Sequence, residues 1–552
     1  MKYVLTLLLI VLSLESASAQ SFDWSRSSRS TTITMASAIA TDPNGTSVVT
    51  GNFYGQTHFD TINLFSQARD IFVAKYSATG KVLWARGFGS TADDFGNAIT
   101  YDSKGNILLT GSFTFKMPMD KDTLLFTGDH DVVIAKLDPN GKVVWAKSAG
   151  GRTGGDHGQA IACDTKGNTY VAGFFRDSAN FDHNGIGAFS KGLFTMFLAK
   201  YDNSGNCVWA KPIGGSNYQS QTEGVGLDVD SKGNIYLAGG MHGMTQIDTM
   251  KRNPAGIVDI FIAKFSPSGT VEWMRTAGGP TGLMGAKALK CFGSSVYVCG
   301  NYITSASFDG GKSLLKSTLG YQNAFLAKYD NEGNFKWVKD GSSRGQKSCE
   351  AMAIDPKENI YIGATFTDSL CFDSTLIASS GRQSLAAISF TSDGSLRWMR
   401  PAGRTGVIIT HGVGVDKHGN SYYAGIYNDT AAFGKEPLYA SLNGQDMFIT
   451  KLSGNSDYNL TKKTATAAKP NINSINMNAG KKELTVDFDV AGLQYVTIEL
   501  YDMLGTVISS YTDQQLSTGN YQLSVDLKKQ ESDVYYVRTQ IGLMKKMSRI
   551  EF

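Results

Sequence analysis

From Gly96 onward the sequence alternates short apolar runs with polar turns: "GNAITYD", "NILLTGSF", "DVVIAKLD" and "GKVVWAK". Each run is too short for a helix and rich in β-branched residues, so the pattern predicts four strands. The first two are joined through Asp102, Gly105 and Asn106, the last two through Asp138 and Gly141. Aspartate accepts backbone N–H bonds across such a turn and glycine takes the left-handed conformation, which predicts two tight hairpins. The first hairpin recurs at Asp164-Gly167-Asn168, Asp230-Gly233-Asn234 and Asp416-Gly419-Asn420. Two turns depart from it: one reads "CFGSS" (Cys291 to Ser295), and in another Glu358 replaces the glycine.

The fourth run of each unit carries a tryptophan. Trp84, Trp145, Trp209, Trp273, Trp337 and Trp398 are separated by 61, 64, 64, 64 and 61 residues. A fixed period of this size means an array in which each unit buries its faces against its neighbours. Four antiparallel strands per unit, apolar on both faces, predict a β-propeller blade. The first three runs occur seven times, but after "MFITKLSG" no fourth run follows. "FDWSRS" near the N-terminus supplies it, because Trp24 precedes Trp84 by 60 residues. The expectation is an all-β chain with a seven-bladed propeller over residues 20–454, its last blade closed by the N-terminal strand. Ring closure removes the exposed edge an open array would present.

Beyond Gly454 a Lys/Thr/Ala/Asn-rich stretch, residues 455–470, reads as a linker. Residues 471–552 then alternate as strands ("KELTVDFDV", "VTIELYDMLGTVI", "GNYQLSVDL", "VYYVRT"), which predicts a small Ig-like β-sandwich. At the other end, Lys2, the apolar run from Val4 to Leu14, and Ala17-Ser18-Ala19 form a secretory signal over residues 1–19, with cleavage expected before Gln20. The run is shorter than the ~20 residues a membrane span needs, and no later stretch is long enough, so no transmembrane segment is expected.

Composition adds little that is specific. A net charge of +3 on 552 residues, without any Lys/Arg cluster, argues against nucleic acid. The six cysteines are irregularly spaced and read mainly as small buried hydrophobes; Cys349 with Cys371 is the pair best placed for a bridge. One carboxylate per turn is too few for calcium, and nothing predicts a metal site. Lys75, Lys136, Lys200, Lys264, Lys328 and Lys451 repeat on the third strand; they are expected to pair with turn aspartates or reach the rim rather than to catalyse.

The pattern in "DIFIAKFSPSGTVEWMRTAGG" (Asp259 to Gly279), repeated through residues 21–454, resembles the SBBP-type β-propeller repeats of bacterial secreted proteins. Ala135, Gly141 and Trp145 are also spaced like the tryptophan-docking motif of quinoprotein dehydrogenases. However, Asp138 sits one place late for that motif, seven units stand where those enzymes have eight, and no adjacent cysteine pair occurs. The shared spacing therefore reads as tryptophan wedged between blades, and no cofactor is expected. The C-terminal segment from Val496, ending on a Lys-bearing strand, is similar to the type A sorting domain of the type IX secretion system of Bacteroidetes. Asp533 stands where that family has glycine, and "KPNIN" (Lys469 to Asn473) half matches its entry motif. The resemblance implies the type IX secretion machinery as a partner and a secreted or outer-surface location.

Six of the seven histidines, His58, His130, His157, His183, His242 and His411, fall in the longer connections, which share one face of the array. Function concentrates on looped faces. Residues five before the turn aspartate, Asn97, Gln159, Glu350 and His411, are expected to ring the inner mouth there, with Asp94 and His157 beside them. Glu350 and His411 fall in neighbouring blades and form the favoured ligand-gripping pair; the outer loops near His58, His183 or His242 are the alternative. With no recurring catalytic constellation, a non-catalytic scaffold for an extracellular glycan or protein is expected, an extracellular hydrolase or lyase being the second reading.

Overall fold

The structure, a computed structural model, describes residues 17–18, 22–182, 184–187, 194–214, 225–308, 314–317, 320–433, 436–441, 444–453, 458–464, 469–478, 482–491, 494–501, 507–516, 519–527, 534–541 and 544–551. Most of the proposed leader, His183 and Asp533 lie outside these residues. The described chain is all-β, and no helix in it is long and apolar enough to cross a membrane. It divides into two compact units, Phe22–Leu452 and the remainder.

In the first unit the described residues form seven antiparallel sheets of the predicted four-strand plan. Sheet two, for example, runs Phe95–Tyr101, Ile107–Phe113, Asp131–Leu137 and Val143–Ala149. The first strands of sheets one to seven are Ile33–Thr41, Phe95–Tyr101, His157–Cys163, Gly226–Val229, Leu283–Phe292, Lys347–Ile354 and Ile408–Val415. Each touches the next, and the seventh touches the first, so the first strands form a closed inner cycle. Sheet seven takes its fourth strand from the N-terminus: Phe22–Ser27 pairs antiparallel with Asp446–Leu452, Trp24 opposite Lys451.

The tryptophans explain the period. Trp24, Trp84, Trp145 and Trp273 each donate Nε1–H to a carbonyl in the third-to-fourth-strand turn of the following sheet, at 3.1, 3.2, 3.2 and 3.0 Å. That turn must carry glycine. Gly80 has φ 79°, and a Cβ on it would lie 2.7 Å from the Trp24 indole. The third-strand lysines reach the same turns: Lys75 bonds Pro139 O, Lys200 bonds Pro267 O and Lys328 bonds Ser392 O. Lys136 bonds Asn203 Oδ1 of that turn at 2.6 Å and also makes a buried 2.9 Å ion pair with the turn residue Asp102 of its own sheet. Burial alone would raise the Asp102 pKa, but hydrogen bonds from Lys136 and Asn106 hold it below the usual carboxylate range. The turn at Glu358 keeps its shape with φ 62°, its carboxylate accepting from Tyr297 and facing Lys328 at 3.6 Å.

Two features differ from the sequence reading. All six cysteines are free: Cys349 is buried on the first strand of sheet six, whereas Cys371 lies on a separate outer hairpin, Ser369–Phe372 with Thr375–Ala378. Such outer hairpins, inserted between the second and third strands, also occur in sheets two to five and seven. In the second unit, the strand Tyr458–Thr464 falls within the presumed linker and pairs with Gly519–Asp526. There, Glu483–Val490 buries every second residue, and Leu484, Val486 and Phe488 share a core with Ile498, Leu500 and Val537 of a second sheet.

A chain lacking residues 20–27 leaves Asp446–Leu452 as an open edge. Its melting temperature should fall well below that of a chain lacking an equal length of outer hairpin in sheet six. Equal melting temperatures would show that the N-terminal strand does not close the cycle.

Candidate functional site

Each first strand that can be followed to its start is bent by a register shift against the second strand. The shifts fall between Ala36 and Ala38, Gly96 and Ala98, Gly158 and Ala160, Ala286 and Ala288, Cys349 and Ala351, and Thr410 and Gly412. A bulge leaves one residue out of the ladder and re-aims its side chain. The residues so freed are Ser37, Asn97, Gln159, Lys287, Glu350 and His411, all half-buried on the inner cycle. Asn97, Gln159, Glu350 and His411 are four that the sequence singles out. Lys287 and Ser37 were missed, Lys287 because sheet five lacks the turn aspartate used for counting.

These residues behave in two ways. Asn97 donates its amide to Gly158 O of the next sheet at 2.8 Å, and His411 Nδ1 lies 2.7 Å from Ala36 O. A carbonyl only accepts, so His411 carries its proton on Nδ1, which leaves Nε2 as the acceptor of the neutral ring. Both residues lace adjacent first strands together. Gln159, Lys287 and Glu350 make no side-chain hydrogen bond or ion pair with any described residue, which leaves their polar ends available. No hydrogen bond or ion pair therefore joins Glu350 to His411, although their sheets are neighbours.

Asp94 differs from its expected place beside the mouth. It is fully buried and accepts from Ser90 N at 2.5 Å, Ser90 Oγ at 3.1 Å and Thr114 N at 2.8 Å, closing the loop that enters sheet two. Asp156 does the same in sheet three, accepting from Gly151 N and Arg176 N. Burial pushes Asp94 up to about 6 and Asp156 up to about 8 despite these bonds. His157 lies against His130 in a tilted pair with centroids 5.3 Å apart, and Phe95 stands 6.3 Å beyond His130 under the Arg69 guanidinium. Burial, with the neighbouring His130, lowers His157 to about 4. His58 bonds Asn63 on the outer edge of sheet one, and burial lowers His242 in sheet four. Among the described residues no group of three metal-ligating side chains assembles. At the tight-turn end of the inner cycle, Thr41, Pro43, Phe292, Ile354, Pro356 and Val415 line a cavity of about 280 Å³.

No protein-family model matches the chain. A curated relative, an uncharacterised WD repeat-containing protein of Acanthamoeba polyphaga mimivirus, is 24% identical over 210 residues, 32% of this chain. The match spans only 15% of that relative's length. Among solved structures, a protein of unknown function from Bacteroides caccae aligns over 55% of this chain and 81% of its own, with 12% identity and TM-score 0.29. A DUF4221 family member from Bacteroides vulgatus covers 66% of this chain and 92% of its own at 10% identity and TM-score 0.27. An extracellular domain described as part of a hybrid two-component system of B. thetaiotaomicron covers 94% and 80%, at 11% and 0.21. The repeated sheets make the chain a β-rich repeat protein, and these alignments extend no activity to it.

The buried groups set opposite pH responses. Asp156 has a raised folded pKa, so its contribution is complete below about 3.8, the unfolded value, and is lost as pH rises through about 8. His157, lowered in the fold, contributes fully above about 6.5 and loses this as pH falls toward 4. The Asp156→Asn variant should therefore lose less thermal stability than the parent between about pH 4 and pH 8. Parallel melting curves across that range would contradict the assignment.

Proposed function

We propose that residues 20–454 form a seven-bladed β-propeller acting as a non-catalytic binding scaffold, secreted or held at the outer cell surface. The observation that carries this reading is the set of bulged first strands. One backbone geometry is reused six times to present six different side chains, Ser37, Asn97, Gln159, Lys287, Glu350 and His411, around one inner cycle. A common frame with varied polar groups suits recognition of an irregular polar surface, such as an extracellular glycan or protein. The strongest gripping groups in this reading are Gln159, Lys287 and Glu350, whose polar ends are uncommitted.

Residues 471–552 are read as an Ig-like sorting sandwich recognised by the type IX secretion machinery, after the signal over residues 1–19 has been removed. The support is the sequence resemblance together with two sheets that share one core apart from the propeller unit.

The scaffold is tested by screening the mature chain against glycan and protein arrays. With the captured partner, Glu350→Ala or Lys287→Ala should each weaken binding by roughly 1 to 3 kcal/mol, since each removes a polar partner from a partly desolvated site. Melting temperatures should be unchanged, because neither side chain bonds another described residue. His411→Ala should lower both affinity and stability, because it also removes the bond to Ala36. Unaltered affinity in the Glu350 and Lys287 variants would move the site off the inner cycle. Turnover of a captured glycan would favour the hydrolase or lyase reading.

For export, a chain ending at residue 470 should accumulate, folded, in the periplasm of a host with this secretion system. Normal surface display of that chain would overturn the sorting assignment.

A further inference from the structure

The junction of sheet seven with sheet one lacks, among the described residues, an ion pair that four of the other junctions make. At the junctions one to two, two to three, three to four and five to six, a cation on the fourth strand pairs with an aspartate on the next sheet's outer hairpin. These are Arg86 with Asp120 at 2.5 Å, Lys147 with Asp182 at 3.4 Å, Lys211 with Asp248 at 2.9 Å and Lys339 with Asp373 at 2.9 Å. At the seven-to-one junction the corresponding residues are Arg26 and Asp60. Arg26 donates to Gly80 O and Ser25 O instead, and neither it nor Asp60 forms an ion pair with any described residue. Both line an open groove of about 690 Å³.

A second departure lies in the same groove. Five residues after the repeat tryptophan, most units carry glycine: Gly89, Gly150, Gly214, Gly278 and Gly403. In three of them the reason is steric, because a Cβ would meet the carboxyl groups of Asp70, Asp131 or Asp259 at 2.1, 2.3 and 1.9 Å. The seventh unit has Arg29 there. It is exposed, its backbone pairs with His58, and its guanidinium forms no ion pair with any described residue. The equivalent aspartate, Asp446, is turned to Ser30 N, at 3.0 Å, and to Ser441. Lys81, exposed and likewise without an ion pair to any described residue, lines the groove from the turn that holds Trp24, and Tyr439 lines it from sheet seven with 69% of its surface exposed.

We propose that this groove binds an oligosaccharide carrying carboxylate groups, a uronate-type chain. Two guanidinium groups and an ammonium group, none paired to a carboxylate of any described residue, suit acidic substituents, and the planar guanidinium meets a carboxylate through two parallel bonds. The exposed phenol ring of Tyr439 offers a flat amphipathic face for a sugar ring. Asp60 decides between a saccharide and an acidic peptide. A carboxylate inside the groove accepts hydrogen bonds from the hydroxyl groups of a uronate chain, which a run of acidic peptide side chains does not offer. The volume fits a few sugar units, within the range of small-ligand sites. The groove is separate from the inner cycle, and the proposal holds or fails independently of the role given to that cycle.

Titration calorimetry of the mature chain with tetragalacturonate, maltotetraose and tetraglutamate tests it. The uronate should bind, more weakly as salt rises, and the other two should bind at least about tenfold more weakly. Arg29→Gly, which restores the residue of the other units, should lower uronate affinity by about tenfold or more while melting as the parent does, and Arg26→Gln should act in the same direction. Lys287→Ala on the inner cycle should leave this affinity unchanged. Absence of uronate binding, equal binding of maltotetraose, tighter binding of tetraglutamate, or an Arg29→Gly chain of unaltered affinity would each overturn the assignment.

Discussion

The first unit depends on one contact made repeatedly: an indole laid over a glycine in the next sheet's turn, with its N–H bonded to a carbonyl of that turn. The large ring supplies apolar area, the glycine supplies the close approach, and the hydrogen bond fixes the azimuth of one sheet against the next. The inner cycle and the spacing of its bulges follow from that repeated rotation. The contact also shows where the repetition ends. Sheet seven has no continuous third-to-fourth turn, because its fourth strand arrives from the other end of the chain. Trp398, which faces that place, has an Nε1–H with no hydrogen-bond partner among the described residues, but so has Trp209, which faces a continuous turn.

Against this regular frame, the variable positions stand out. Bulges on the inner strands lift single residues out of the ladder without disturbing the sheets behind them, so their chemistry varies freely. Asp94 and Asp156 show the opposite use of polarity. They are buried to hold loop backbone in place, and burial raises their pKa values even though each accepts several N–H bonds.

The repeated sheets were legible because strand alternation, turn aspartates and tryptophans recur at one period, and Trp24 was recognisable by that period alone. The outer hairpins were not, since their short strands share length and place but little sequence. Asn97, Gln159, Glu350 and His411 were found by counting from the turn aspartate; Lys287 escaped because "CFGSS" removed the counting mark. Asp94 was read as a mouth residue because sequence gives the position of a carboxylate but not whether backbone amides enclose it. The strand Tyr458–Thr464 was hidden by a Lys/Thr/Ala composition that suits a linker as well as a sheet edge.

The pairing of Phe22–Ser27 with Asp446–Leu452 also bears on the order of folding. Thr450 Oγ1 donates to Trp24 O across 426 residues. Bringing such distant segments together from an open chain costs on the order of 5 kcal/mol in loop-closure entropy, whereas each hairpin within a sheet closes over a short loop. Six sheets can form from sequence-local pairings as the chain lengthens, but the seventh waits until both of its ends exist. The rate of reaching the native state is then set by one late, long-range event, and the first-made segment of the domain is the last to find its partner.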